Sequence, residues 1–271
     1  MLVGLLPLPV LACTLWGAGG DDVAGGGTLI SKNRDWKPDH HQVLRMVRPA
    51  QGYAYFGLYA EGNSDPGLKA GSNEKGLTII SASSNIPKKL RDHQDGKHGV
   101  MTQILQRYGS IAELAKDADT LFAGSRANFF MLSDRRQIML VEVGLEGRHS
   151  IRVIEQGSVA HTNHYLDPAL AGRFGDKPGV SSSTRYDRIN ALLAQTARPL
   201  DTSVFATLSR DHVAGPDNSL WRNGREYTLA SWIVATPPTG APRLRIVIAN
   251  PGEAEDTREF TLDAAFWQAS H

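Results

Sequence analysis

The chain is organised around the segment Leu11-Ala12-Cys13-Thr14-Leu15-Trp16, which contains the only cysteine among its 271 residues. An apolar stretch, residues 2–12, precedes Cys13, and a strand-like stretch follows it and leads into a glycine-rich turn. Cleavage of the peptide bond after Ala12 would give Cys13 a free α-amine beside its thiol. An N-terminal residue that carries both groups can act as a nucleophile with its own amine as the base.

The chemistry of cysteine suits this role. A free α-amine titrates at about 7.7–8.0 and is partly neutral at pH 7, and a free thiol, with a pKa of about 8.5, already supplies some thiolate. Covalent geometry holds the two groups together, so no distant histidine is needed. The alternative is that Cys13 is a small buried apolar residue, which is a common fate of a free cysteine.

Composition indicates a globular protein, with 41% hydrophobic and 21% charged residues. The net charge of +1 gives no reason to expect a nucleic-acid partner or an anionic membrane surface. No apolar run approaches the roughly 20 residues of a spanning helix, so we expect no stable membrane insertion. One cysteine cannot form an internal disulfide, and it therefore says nothing about the redox compartment.

Residues 1–12 are predicted to be a signal peptide or a prosegment, removed by a signal peptidase or by the protein itself. The apolar stretch has the length of a signal-peptide core, but no Lys or Arg precedes it. A periplasmic or secreted location is expected, and a cytoplasmic zymogen is the alternative. A lipoprotein signal also ends at a cysteine, although Leu11 fits that pattern poorly.

Residues 13–271 are predicted to form one α+β domain with many antiparallel strands. Residues 17–27 are read as a hairpin loop rather than a phosphate cradle, because a strand follows them. Ser110 and Glu113 predict a capping box at a helix start. Ser183 or Thr184 is predicted to cap a second helix, and Asp201 a third.

Five segments carry a family resemblance, each weak alone but arranged in a characteristic order. They are Cys13-Thr14, Asn33-Arg34-Asp35-Trp36, Asn73-Glu74-Lys75-Gly76-Leu77 leading to Asn85-Ile86-Pro87, His161-Thr162-Asn163-His164-Tyr165, and Ser183-Thr184-Arg185-Tyr186. The chain resembles the N-terminal-nucleophile (Ntn) hydrolases of the choloylglycine hydrolase, penicillin V acylase and isopenicillin N acyltransferase group, with the acyltransferase-like branch nearest. This resemblance implies a four-layer αββα sandwich of two antiparallel sheets.

The resemblance also implies catalytic roles. Cys13 would be the nucleophile, and Asp35 would hold its α-amine or its thiol. Asn85 and Asn163 match positions near the oxyanion, where each side-chain amide donor is worth roughly 3–4 kcal/mol in comparable sites. Arg185 matches an arginine near the nucleophile, and an ion pair with Asp35 would explain a cation at a helix start.

Three residues on the predicted second strand are candidates for substrate binding: Lys32, Arg34 and Trp36. Lys32 stands where relatives of the bile-salt type carry an arginine, and Arg34 is the candidate substitute. Strand alternation puts Lys32 and Arg34 on one face, with Asn33 and Asp35 on the other. Residue by residue, the alternatives are ordinary: a strand-end aspartate, a turn asparagine at position 85, and a solvated arginine at position 185.

His161 and His164 are three residues apart, but two histidines without a third ligand do not make a metal site. We therefore expect no metal and no cofactor. The resemblance implies a hydrolase of linear, non-peptide C–N bonds that acts on small-molecule N-acyl amides through a Cys13 acyl-enzyme. An acyltransferase that uses a second amine is one alternative, and a secreted or lipid-anchored binding protein without enzymatic activity is another. The acyl chain, the leaving amine and homo-oligomerisation are left open.

Overall fold

A computed structural model describes residues 13–62, 65–86, 90, 96–174 and 178–269. The predicted leader, residues 1–12, lies outside the described residues. Within them, six strands form a first antiparallel sheet in the order β10-β1-β2-β11-β12-β13. These strands are β1 (Cys13–Gly19), β2 (Thr28–Trp36), β10 (Gly157–His161), β11 (Tyr227–Thr236), β12 (Arg243–Ile248) and β13 (Asp256–Thr261).

A second antiparallel sheet contains seven strands that follow one another in chain order, from β3 to β9. They are β3 (His41–Val47), β4 (Tyr55–Glu61), β5 (Gly67–Asn73), β6 (Thr78–Ala82), β7 (Asn128–Ser133), β8 (Ile138–Val143) and β9 (His149–Ile154). Most of these strands are joined by short connections, which suffice for an antiparallel pair, but β6 and β7 are joined by residues 83–127.

Seven helices accompany the sheets within the described ranges. They are α1 (Val100–Arg107), α2 (Ile111–Leu114), α3 (Ala118–Ala123), α4 (Pro168–Phe174), α5 (Val180–Gln195), α6 (Thr202–Ser209) and α7 (Ala264–Gln268), with a 3-10 turn at Gly20–Asp22. Five of them cover the outer faces of the two sheets, whereas α4 and α7 contribute Leu170 and Phe266 to the core between the sheets. None of the helices in the described part of the chain is long and apolar enough to cross a membrane.

Three apolar cores separate these layers. The largest lies between the sheets and joins Leu15 and Trp232 of the first sheet to Phe56 and Phe129 of the second. A second core packs α1, α2 and α3 on the outside of the second sheet, and a third packs α5 and α6 on the first. The chain therefore has the predicted four-layer αββα architecture.

The β1–β2 hairpin fixes the position of Cys13. Its loop reverses the chain within residues 20–27, and the register pairs Gly19 with Thr28 at one end and Cys13 with Arg34 at the other. Opposite residues of an antiparallel pair project to the same face of the sheet. The first described residue of the chain thus lies beside the motif that contains Asp35.

Two of the three predicted helix caps are confirmed. The Ser110 side chain accepts a hydrogen bond from the Glu113 N–H, and Asp201 accepts one from Val204. The predicted capping box is only half formed, because the Glu113 carboxylate accepts from the Gly109 N–H instead of the Ser110 N–H. The third prediction is wrong, because α5 begins at Val180 and has Gly179 as its N-cap. Ser183 and Thr184 therefore lie inside the helix, where the Ser183 hydroxyl donates back to the Gly179 and Val180 carbonyls.

Candidate active site

Cys13 stands at the start of β1, buried, with its side chain in the core between the sheets. Its Sγ lies 3.9 Å from Nη1 of Arg34 and 3.9 Å from the main-chain oxygen of Asp35. The thiol is thus held against the end of β2, where a guanidinium can stabilise a thiolate.

The main-chain nitrogen of Cys13 has a different partner. It donates a 2.9 Å hydrogen bond to Oδ1 of Asn163, which lies just after β10. Oδ1 also accepts from Nη2 of Arg185 at 2.9 Å, and Nδ2 donates to the Ser83 carbonyl at 2.9 Å. All three contacts agree on the orientation of the amide, so the Asn163 oxygen, not its NH₂ group, faces the nitrogen of Cys13.

Arg185, from the second turn of α5, holds both residues in place. Its Nη1 donates to the Cys13 carbonyl at 2.7 Å and to Oγ1 of Thr14 at 2.8 Å, and its Nε donates to Oγ of Ser181 at 3.3 Å. Burial lowers the Arg185 pKa to about 10, with Asp35 acting in the opposite direction, so the side chain is charged at neutral pH. The predicted ion pair with Asp35 is replaced by these neutral acceptors, and Asp35 acts on Arg185 at longer range.

The Asp35 carboxylate is buried at the end of β2. Its Oδ1 accepts a 2.7 Å hydrogen bond from Oγ1 of Thr228, and its Oδ2 is buried with no hydrogen-bond partner among the described residues. Burial raises the Asp35 pKa to about 6, against the opposing effects of nearby arginines and of Thr228. Asp35 therefore touches the Cys13 thiol through its main-chain oxygen, and the described contact of its carboxylate is Thr228.

Three cations lie around the thiol, and Arg34 is one of them. Lys32 donates to the Ser81 carbonyl, and burial lowers its pKa to about 8. The Arg34 guanidinium stacks on Trp36, with its central carbon 4.2 Å from the ring centroid. Lys69, on β5 of the opposite sheet, pairs with Asp65 at 2.6 Å, and burial lowers its pKa to about 8 as well.

The predicted alternation along β2 is confirmed by the contacts of its side chains. Arg34 faces the thiol of Cys13 between the sheets. Asn33 points the other way, toward the helical layer, and donates to the main-chain oxygens of Ser209 and Leu220. The strand therefore places cations and the polar Asn33 on separate faces.

Asn85 is half-buried in the segment that follows β6. Among the described residues, no hydrogen bond joins its side chain to Cys13, and the neighbouring Ser83 carbonyl instead contacts Asn163. Pro87, which ends the motif that suggested Asn85, lies outside the described residues.

Sequence reasoning missed several residues that support the site. Ser182, buried on α5, accepts from the Asn163 N–H at 2.9 Å and lies within 3.0 Å of Oγ1 of Thr162 and Nδ1 of His164. Lys69 and Thr228 were missed as well. Each reaches the site from a distant strand, and no local motif marks them.

The burial of His161 is accounted for by a carboxylate partner. Its Nε2 lies 2.6 Å from Oε1 of Glu142, and Glu142 also accepts from the N–H groups of Leu166 and Asp167. This buried network connects β8 to the loop that carries Asn163. Within the described ranges, no group of three histidine, cysteine or acidic side chains could hold a metal ion.

The arrangement gives the nitrogen and the sulfur of Cys13 separate contacts. Its nitrogen is oriented by Asn163, and its sulfur lies in a field of buried cations. A thiol with an oriented amine beside it and cations nearby is suited to nucleophilic attack on an acyl group.

Many solved structures have similar folds, and two of them match over most of both chains. A variant of the conjugated bile acid hydrolase from Clostridium perfringens is 12% identical with a TM-score of 0.55, and the similarity covers 92% of this chain and 92% of that chain. The Caenorhabditis elegans N-acylethanolamine-hydrolyzing acid amidase ortholog is 14% identical with a TM-score of 0.55, covering 84% of this chain and 94% of that chain. At these identities the likeness establishes the Ntn-hydrolase fold.

Among curated proteins, no sequence matches the chain. The profile of the acyl-coenzyme A:6-aminopenicillanic acid acyl-transferase family matches residues 23–253, which include Asp35, Asn163 and Arg185 and cover most of both sheets. The chain belongs to the acyl-coenzyme A:6-aminopenicillanic acid acyl-transferase family and has the Ntn-hydrolase fold.

Proposed function

We propose that this protein is a cysteine amidohydrolase that cleaves linear, non-peptide amides of N-acyl compounds through an acyl-enzyme on Cys13. The observation that carries the proposal is the hydrogen bond of 2.9 Å between the Cys13 nitrogen and Oδ1 of Asn163, with the thiol held separately against Arg34. Any buried main-chain N–H needs an acceptor, but a cysteine that served only as packing would need no cation at its sulfur.

The names of the similar structures support the same reaction class. One is a conjugated bile acid hydrolase and the other an N-acylethanolamine-hydrolyzing acid amidase. We infer that the present enzyme takes a small N-acyl amide and that its leaving group is an amine. The net charge of +1 supports a small-molecule substrate rather than a nucleic acid.

The proposed reaction has two halves. The thiol proton passes to the free α-amine of Cys13, and the sulfur forms a bond to the acyl carbon as the carbonyl becomes an oxyanion. The tetrahedral intermediate collapses, its C–N bond breaks, and the α-ammonium gives the proton to the leaving nitrogen. Water then attacks the thioester with the amine as base, and the acid is released as the sulfur regains its proton.

The described residues suggest donors for the oxyanion. Nδ2 of Asn163 carries two N–H groups, and one of them is bonded to the Ser83 carbonyl. The second N–H, together with the Arg34 guanidinium at the sulfur, would stabilise the developing negative charge. Asn163 would then orient the base with its oxygen and bind the oxyanion with its nitrogen.

An acyltransferase is the second candidate, and the name of the matching family favours it. Both activities share the acyl-enzyme and differ only in whether water or a second amine accepts the acyl group. Product analysis with and without an added amine distinguishes them. A third candidate, a secreted or lipid-anchored binding protein, requires Cys13 to be lipidated or inert, and the mass of the mature protein distinguishes it from both enzymes.

The test uses mature protein and a panel of N-acyl amides. Cys13→Ala should abolish turnover while leaving the melting temperature within a few degrees of wild type. Cys13→Ser should be nearly as inactive, because a hydroxyl is a much weaker nucleophile beside the same amine. Mass spectrometry of a stopped reaction should find the acyl group on the peptide that contains residue 13. Wild-type turnover by Cys13→Ala would place the nucleophile elsewhere.

A further inference from the structure

A buried ion pair that the proposed reaction does not use lies behind Asp35, in the loop that enters β11. Nη1 of Arg222 donates to Oε2 of Glu226 at 2.5 Å, and the two residues are only 5% and 4% exposed. Such a pair is costly to bury, and apolar residues of similar volume are often as stable or more so. Its presence beside the predicted active site therefore needs a reason other than stability.

Thr228 connects this pair to Asp35. The main-chain N–H of Arg222 donates to Oγ1 of Thr228 at 2.8 Å, and the same hydroxyl donates to Oδ1 of Asp35 at 2.7 Å. The Thr228 N–H in turn donates to the Arg222 carbonyl at 3.0 Å. Because the hydroxyl has only one proton, the Arg222 N–H fixes it as a donor to the carboxylate.

The backbone around Thr228 is shaped for this contact. Thr228 pairs with Asp35 across β11 and β2, and the register then shifts between Thr228 and Ala230. A β-bulge of this kind changes the direction of a side chain and is found frequently beside active sites. The loop itself is anchored by Asp217, which accepts from the Arg225 N–H at 2.7 Å.

We propose that Arg222 and Glu226 are a positioning pair that acts through Thr228 to orient Asp35 and to keep its carboxyl group ionised. This inference rests on the proposed function and adds to it a role for Asp35, whose ionised carboxylate would favour the protonated α-amine of Cys13 during departure of the leaving group. Neither Arg222 nor Glu226 touches Cys13 in the described contacts.

The charges around Asp35 support the inference. The groups that face it are Arg222, Arg185, Arg34, Lys32 and Glu226, with the Cys13 thiol at its main-chain oxygen. Burial raises the Asp35 pKa to about 6, and Arg222 is the strongest influence that lowers it. Burial also raises the Glu226 pKa to about 7; Arg222 opposes this rise, and Asp35 adds to it.

These relationships predict that the acid limb of the kcat/KM profile moves in opposite directions when Arg222 and Glu226 are replaced in turn. Removing the positive charge in Arg222→Gln should raise the Asp35 pKa and move the acid limb of the kcat/KM profile up by about one pH unit. Glu226→Gln should move the same limb down by a smaller amount, because Glu226, with a pKa of about 7, is only partly ionised where Asp35 titrates, and its remaining negative charge no longer offsets Arg222. A pair that served only to stabilise the loop would not give shifts of opposite sign.

The link through Thr228 is tested separately. Thr228→Val keeps the shape but removes the hydroxyl, and it should move the acid limb up. Thr228→Ser keeps the donor and should restore the wild-type limb. Arg45→Gln is the matched control: Arg45 pairs with Glu61 on the exposed edge of the other sheet, and its removal should leave the profile unchanged.

Melting curves establish that each variant is folded before its profile is measured. Shifts of the same sign in Arg222→Gln and Glu226→Gln, or no shift in either, would overturn the inference. If Cys13→Ala retains wild-type turnover, the proposed function fails. If activity depends on Cys13 but the limbs do not move, only the role of the pair fails.

Discussion

The main-chain nitrogen of Cys13 donates to Oδ1 of Asn163, which also accepts from the Arg185 guanidinium. One amide oxygen therefore receives the nitrogen of the candidate nucleophile on one side and a buried cation on the other. The cation fixes the orientation of the amide, and the amide fixes the direction of the nitrogen. In the proposed mechanism this nitrogen becomes the free amine that acts as base, and the contact with Asn163 would hold it beside the thiol.

Asn163→Ala should lower kcat about 100-fold and change KM much less. In the proposed mechanism the side chain orients the base and donates to the oxyanion, so its loss should affect the transition state more than substrate binding. Steady-state kinetics on one N-acyl amide checks this. Asn190→Ala is the control, because Asn190 lies on the same helix as Arg185 and its side chain, within the described part of the chain, donates to the Tyr186 carbonyl of its own helix and not to the site. An increase in KM with unchanged kcat would instead identify Asn163 as a substrate contact.

The purified mature protein should begin at Cys13, because an amide-blocked cysteine lacks the α-amine that the mechanism needs. Intact-mass analysis of protein made with residues 1–12 checks the cleavage site. Cys13→Ala separates the two routes of processing: self-cleavage requires the thiol and would fail, whereas a signal peptidase would still cut. A fully active preparation that retained residues 1–12 would contradict the mechanism.

Local signals in the sequence predicted local structure well. The cap at Asp201 depends on a contact three residues away, and the alternation of Lys32 and Arg34 along β2 depends only on the two-residue period of a strand. The position of Cys13 beside Asp35 followed from one hairpin. These features need no knowledge of distant contacts.

The arrangement of the site depended on contacts between distant segments. Cys13 and Asn163 are 150 residues apart, and Thr228 and Asp35 are 193 apart. The five motifs indicated that Asn163 belongs to the site, but the direction of its amide is set by Arg185 and Ser83. Lys69 and Thr228 carry no motif at all, since only the stacking of the sheets and a bulge in β11 bring them in.

Gly27→Ala should destabilise the β1–β2 hairpin by about 3 kcal/mol, as measured by urea denaturation. Gly27 has a φ of +81°, and an added Cβ would lie 2.2 Å from the main-chain oxygen of Thr236. Gly25 is a matched control, with a φ of +80° and no atom within 4 Å of its added Cβ. Gly25→Ala should therefore lose only the conformational term of about 1 kcal/mol. Equal losses of stability in the two variants would show that the close approach of the added Cβ to Thr236 does not contribute.

Lys32 should make the protein more stable as the pH rises above 8. Burial lowers the Lys32 pKa from 10.5 to about 8, so between these values the unfolded chain binds a proton that the folded chain does not. Stability then increases with pH, and removing this one group should lower the increase by about 1–3 kcal/mol. Lys69 titrates in the same pH range and accounts for part of the increase in the wild-type protein.

Urea unfolding at pH 7.5 and 9.5 measures this effect. The free energy of unfolding should increase less for Lys32→Met than for wild type, whereas Lys116→Met, at an exposed lysine, should keep the wild-type increase. A wild-type slope in Lys32→Met would mean that Lys32 is not the titrating group.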